Sequence, residues 1–197
     1  MKTTTDMSSR QAPLYELYAE KPESAQIEDY AITTCDITAP DNPLRGDVEI
    51  THSRNASLKV GVHRAVGGDS DHPTPGDILC AALASCLDST LRVVANRIGM
   101  EITYLSAEVV GEVDVRGTLR ASDACPVGFQ RFRSHVDIRV AEGTDEKLVE
   151  QVIKAAEYSC VVLQTLRGAP DTPLTASINE GDALNLTEPG PANQRAA

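Results

Sequence analysis

The sequence predicts an α+β fold with helices on one face of an antiparallel sheet and one long helix buried at its centre. Three observations carry that expectation. Residues 78–87, ILCAALASCL, are helix-forming and apolar nearly all round, which marks a helix covered on more than one side. Stretches of strand-like alternation lie both before and after it. A second, amphipathic helical stretch follows the later strands, so the order is strands, helix, strands, helix, strand and not a repeated strand–helix unit.

Length and composition set the frame. At 197 residues and 41% hydrophobic, the chain can bury one core, which favours a single domain with tails. Residues 1–43 are polar, carry Pro13, Pro22, Pro40 and Pro43, and hold one short apolar cluster, Leu14, Tyr15, Leu17 and Tyr18; they read as an N-terminal extension with at most one docked element. The domain spans 44–178, and 179–197 reads as a flexible C-terminal tail. Eighteen basic against twenty-nine acidic residues give a net charge of -11, which repels phosphate backbones and anionic membrane surfaces, so neither nucleic acid nor a membrane is expected as a partner. With no apolar run behind Lys2, and no uninterrupted apolar stretch of about 18 residues, a cytoplasmic location is expected. The five cysteines, an odd number spread widely, read as reduced thiols and not as staples.

The elements follow in order. Val48 and Ile50, then Leu58, Val60 and Val62, predict a β-meander between Asp47 and Val66, closed by the loop from Gly67 to Pro75. Thr74 suits a helix N-cap, Pro75 the first helical position and Asp77 the third, so the long helix starts here; Gly99 ends it. Residues 102–119 alternate as a strand, and Phe132 to Val140 gives another. Thr144 is expected to cap a second helix of about four turns, with Leu148, Val149, Val152, Ile153 and Ala156 facing the core and Cys160 near its end. Residues 172–178 offer a last strand. A helix apolar on every side needs more cover than one sheet layer supplies, which makes a dimer that sandwiches it the natural arrangement.

Taken by residue type alone, Cys86 reads first as a small core hydrophobe, because most cysteines in such apolar helices are inert. Cys80 invites that reading more strongly, and six residues at about 100° each put it some 120° around the helix from Cys86.

Two motifs change the estimate. The segment GGDSDHPTPGDILCAALASCLDSTLR and the segment AAEYSCVVLQTLRG resemble the two cysteine motifs of the OsmC/Ohr hydroperoxide-reductase family, and the matching order of elements extends the likeness over roughly residues 44–178. The resemblance implies an α+β, OsmC-like fold, an antiparallel sheet wrapped around a long buried helix in an intertwined homodimer, with Cys86 as peroxidatic thiolate and Cys160 as its resolving partner in a disulfide. It implies a thiol peroxidase acting on organic hydroperoxides, reset by an external dithiol, with no metal or organic cofactor. It further implies an arginine beside the thiolate; Arg45 is the best match by spacing, with Arg54 and Arg64 as rivals. Two departures stand out. Gly76 occupies the position ten before Cys86 where the family usually carries a glutamate, leaving Asp77, Asp47 or Glu49 as stand-ins, and Val161 follows Cys160 where the family often has proline.

Other constellations are weaker. His52, His63, His72 and His135 show no zinc-type spacing, and Ser85 lacks a nucleophile elbow. Cys35 and Cys125 lie in the extension and a loop. Two rival readings stay open on the departure at Gly76: a non-catalytic protein that binds a small ligand in an apolar pocket, and a redox sensor that uses the same disulfide without rapid turnover.

Overall fold

The computed structural model describes residues 6–34, 41–50, 56–178 and 184–185. Its central element is helix α2, Pro75–Arg97, and the cap is the one the sequence predicts: Thr74 Oγ1 accepts the Asp77 N–H at 3.3 Å, while Asp77 Oδ2 accepts the Thr74 N–H at 2.8 Å. After Arg97 the chain turns through Gly99 at φ +70°, where a side chain would be strained, and Met100 N–H returns to Ala95 O. The Thr74 backbone and hydroxyl bonds hold the Asp77 carboxyl below its ordinary value of 3.8. A depressed carboxyl stabilises the fold above its unfolded pKa and loses that contribution as pH falls through the folded value. Asp77→Ala is therefore expected to cost about 1 kcal/mol at neutral pH, a penalty that fades below pH 3.8 in paired urea titrations.

Leu83, Leu87, Leu91 and Ala95 recur every fourth residue on α2 and form its buried stripe. That stripe lies on the antiparallel hairpin of β4, Ile102–Glu112, and β5, Arg131–Val140, in which Leu105 faces Ile138 and Ala107 faces Val136. A register shift between Ile102 and Tyr104 lets Ile102 and Leu105, an odd number of residues apart, both point at the core. The predicted strand over 102–119 stops at Glu112, because Asp114 accepts the Arg116 N–H and starts the single turn α3, Val115–Thr118.

Helix α4, Glu146–Ser159, packs across α2 through Val152 and Ala156. Its cap is Asp145, which accepts the Lys147 N–H, and not Thr144, whose hydroxyl bonds Ala141 O instead. Leu148 and Ile153, expected in the core, stand 36% exposed at the margins of the stripe. Helix α5, Val161–Gly168, follows at once and also packs on α2. The short strands β6, Thr175–Ala176, and β7, Leu184–Asn185, pair antiparallel, so the predicted last strand acquires a partner within the stretch read as a tail; 179–183 and 186–197 lie outside the described residues.

The stretch read as an extension contributes two elements. Helix α1, Met7–Glu20, docks on the end of α2: Met7 N–H reaches Asn96 Oδ1 at 2.8 Å, Ser8 Oγ reaches Arg97 O at 3.0 Å, and the Arg97 guanidinium lies over the Tyr15 ring. Strand β1, Ala31–Thr34, adds to β2, Arg45–Ile50, which pairs in turn with β3, Ala56–Gly61. Among the described residues, this three-stranded sheet makes only passing contacts with the other elements of its chain. It leaves Ile32 and Ile50 exposed.

The expectation that the first half of α2 is buried all round is not met within one chain. Ile78, Leu79 and Cys80 are only partly covered, because β4 and β5 with α4 and α5 shield one side. By length and composition α2 is apolar enough to cross a bilayer. Here its leucine stripe packs on the hairpin instead, and Arg92 clasps Asp88 on its outer side at 2.8 Å.

Candidate functional site

Cys160 sits at a break in the chain. It closes α4 and precedes α5 in an extended conformation, φ -74° and ψ 103°, with no side chain capping the new helix. Its thiol is fully buried against Leu83 and Leu87, and Cys86 packs on the same cluster with Ala107, Val109, Val162, Leu163 and Leu166. The two cysteines thus share one cluster, and each acts on the proton affinity of the other.

Their proton affinities are driven apart. Burial pushes the Cys86 thiol up, but the Val162 N–H, the Cys160 thiol, the Thr90 hydroxyl and the Val161 N–H all bond its sulfur, and together they hold it below the ordinary 9.0. Burial raises Cys160 and the Cys86 charge raises it further, against the amides of Leu163 and Val162, so it lies above 9.0. Of the two, Cys86 is therefore the sulfur that gives up its proton first. Such an arrangement supplies a nucleophile with a second sulfur at hand.

Of the three residues expected at the site, two meet and Arg45 does not. Arg45, at the start of β2, ion-pairs through Nη2 with Asp71 at 2.5 Å and Asp69 at 3.3 Å, and its Nη1 donates to Leu44 O. Arg64 donates to Asp69 O, and Arg54 lies outside the described residues. Among the candidate acids, Asp77 is engaged in its cap, Glu49 is exposed and Asp47 is buried in β2. Among the described residues, none of these is among the groups that act on the Cys86 sulfur. Arginine placement was expected from spacing along the chain, and the two aspartates of the loop before α2 are what claim it.

Gly76 has a physical counterpart. The Phe129 ring lies across Gly76 and Gly111: a Cβ on Gly76 would meet Phe129 Cζ at 3.1 Å, and one on Gly111 would meet Cε1 at 2.6 Å. An aromatic ring thus covers the position where an acid was expected. Gly111→Ala should force that ring out and destabilise the fold by roughly 1–3 kcal/mol, read in a denaturant midpoint. Phe129 also closes a mostly apolar cavity of about 980 Å³ with Val60, Val62, Val113, Val115 and Val127; neither Cys86 nor Cys160 lines it.

Two contributors escaped the sequence reading. Thr90 stands one turn after Cys86, a spacing that places the two on one helix face, and that i, i+4 relation was the available signal. The amides of Val161 and Val162 left no signal in side-chain pattern, since they matter only because the helix restarts at Cys160.

Residues 67–175, more than half of the chain, match the family model described as OsmC-like protein. The chain belongs to the OsmC-like family. Among relatives of this family, it is 27% identical over 139 residues to the uncharacterized protein YmaD of Bacillus subtilis, covering 70% of this chain and 89% of YmaD. The fold agrees with an OsmC-like protein of Mycoplasma pneumoniae at TM-score 0.56 and 14% identity, over 73% of this chain and 89% of that one. It agrees also with an organic hydroperoxide resistance protein OsmC of Legionella pneumophila, described as a predicted redox protein, at TM-score 0.54 and 21% identity, over 73% and 92% of the two chains. The α+β arrangement with antiparallel sheets and one long helix is the OsmC-like fold.

Proposed function

We propose that this OsmC-like protein is a thiol-dependent peroxidase that reduces organic hydroperoxides. The observation that carries the reading is the contact between Cys86 and Cys160 with their proton affinities split in opposite directions. The Cys86 thiolate attacks the distal peroxide oxygen; the O–O bond breaks, the alkoxide takes up a proton and leaves as an alcohol, and Cys86 becomes a sulfenic acid. The Cys160 sulfur then attacks the sulfenic sulfur, hydroxide leaves as water, and a Cys86–Cys160 disulfide forms. An external dithiol returns the two electrons by thiol exchange. Leu83, Leu87, Val109 and Leu163 around the pair suit a substrate with an alkyl group better than hydrogen peroxide. The organic hydroperoxide resistance protein of Legionella pneumophila, with the same fold, supports this substrate class.

One equivalent of an alkyl hydroperoxide added to the reduced protein should consume two thiols per chain and give a single Cys86–Cys160 crosslink by peptide mapping. A full complement of thiols after mixing would sink the proposal.

The working unit proposed is a homodimer. Support comes from the incompletely covered Ile78, Leu79 and Cys80 face of α2 and from the β1–β2–β3 sheet that packs on little of its own chain. Sedimentation at micromolar concentration should give a stable dimer, and a monomer would count against it. A second reading, non-catalytic binding of a small apolar ligand, is favoured by the 980 Å³ cavity beside Phe129. There, Cys86→Ser would leave ligand affinity intact and peroxide would form no crosslink.

A further inference from the structure

We infer that Gln164 and Arg167, which grip Glu157 across the break at Cys160, are positioning residues: they fix the angle between α4 and α5 and so hold the buried Cys160 sulfur in the cluster it shares with Cys86. This role rests on the proposed joining of the two sulfurs and goes beyond it by naming what sets its equilibrium in this chain.

A helix that stops leaves its last four carbonyls without N–H partners of its own. Helix α4 stops at Ser159, and Cys160 is extended, not in the left-handed conformation that turns the next amides back onto those carbonyls. The first turn of α5 closes on itself, with Gln164 N–H bonded to Cys160 O at 3.0 Å, and it has no side-chain cap. The local chain therefore leaves the direction of α5 open. Packing does not settle it either, because a cavity of about 290 Å³ lies at the junction. Leu87, Leu91, Ala156 and Leu163 are on its wall, together with the half-exposed Glu157 and Arg167.

Two side chains of α5 reach back to one residue of α4. Gln164 Nε2 donates to Glu157 O, one of the orphaned carbonyls, at 2.9 Å, and Arg167 Nη2 donates to Glu157 Oε1 at 2.7 Å. Glu157 lies about one turn before Cys160 and Gln164 about one turn after it, so the clasp brackets the break. At that apex the Cys160 side chain is fully buried on Leu83 and Leu87, and Cys86 packs on the same cluster. A change in the angle between the helices swings the apex, because Cys160 lies between them and belongs to neither. Both partners of the ion pair are about half exposed, so its loss should scarcely alter overall stability. What it alters is where the sulfur sits.

The measurement is the equilibrium constant of the Cys86–Cys160 disulfide in the full-length protein, set by dithiothreitol redox buffers and read as crosslinked fraction by peptide mass spectrometry. Exchange moves two electrons and two protons between the protein dithiol and the dithiothreitol disulfide, and the constant reports the effective concentration of one sulfur at the other. Gln164→Ala combined with Arg167→Ala should lower that concentration roughly three- to tenfold, a tenfold loss raising the reduction potential by about 30 mV, with the melting temperature near wild type. Arg167→Lys should stay close to wild type, and exchanging the charges by Glu157→Arg with Arg167→Glu should recover part of the loss. Lys154→Ala, which breaks a similarly exposed pair with Glu150 inside α4, should change nothing. A wild-type constant in the double variant, or an equal fall in Lys154→Ala, would overturn the inference. If the double variant does not fold, Glu157→Gln, which keeps the shape and loses the charge, should lower the constant roughly twofold, and no change there would overturn it equally. These buffers contain no peroxide. If the constants fall as expected while alkyl hydroperoxide consumes no thiols, the clasp stands and the peroxidase reading fails.

Discussion

Cys86→Ser is expected to reduce hydroperoxide consumption to the rate of a protein-free control, whereas Cys160→Ser should still consume one equivalent. The difference follows from the division of labour between the sulfurs. In the proposed reaction Cys86, whose thiol is held below its ordinary value, attacks the O–O bond, and a serine hydroxyl in its place would stay protonated. Cys160 is raised in proton affinity and enters only after the first oxidation. In Cys160→Ser the reaction therefore halts at a sulfenic acid on Cys86, which a cyclic dione reagent should trap and which excess peroxide should drive to the sulfinic acid. Equal losses in the two single variants, with no trapped sulfenate in Cys160→Ser, would mean that the thiols do not act in this order. Electrospray mass spectra after one and ten equivalents of an alkyl hydroperoxide distinguish the cases.

How much of this was legible in the sequence depends on the range of the interaction. The cap at Thr74 and Asp77 is a contact between residues three apart, and it was written in the local pattern. So were the α2–β4–β5–α4 order and the meander, because each rests on a period of 2 or about 3.6. The pairing of Cys86 with Cys160 came from resemblance, since no local rule joins residues so far apart. What stayed hidden is what only the assembled chain creates. β1 is a four-residue stretch, too short to show a period, until β2 lies beside it, and α1 interrupts its own hydrogen bonding at Pro13 and leans on Asn96 and Arg97 of α2. The cap of α4 moved by one residue because Asp145 and Thr144 are both able caps and Thr144 spends its hydroxyl on Ala141. At the site, Arg45 was assigned by spacing, but ion pairs are decided by which carboxylates the folded loop presents, here Asp69 and Asp71. Backbone amides carry no letter in the sequence, so the contribution of Val161 and Val162 required the break at Cys160 to be seen.

The same break ties stability to chemistry through Leu83. This side chain is fully buried and, with Leu87, forms the floor on which Cys160 rests. Leu83→Ala removes three side-chain carbons from a closely packed site and leaves a cavity that its rigid neighbours fill only in part, which should cost about 2–5 kcal/mol. For a chain of this size that corresponds to a fall in melting temperature of roughly 5–15 °C, read by calorimetry on the reduced protein. A merely structural leucine would stop there. Because Leu83 supports Cys160 from beneath, its loss should also let the second sulfur drift from Cys86, so that the sulfenate lives longer and the disulfide forms more slowly after a single equivalent of peroxide. Leu91→Ala, which empties a site as deeply buried but in the separate cluster around Met100 and Val152, supplies the control. It should lower the melting temperature by a similar amount and leave the sulfenate lifetime unchanged. Equal lifetimes in the two variants would mean that packing under Cys160 does not govern how fast the sulfurs join.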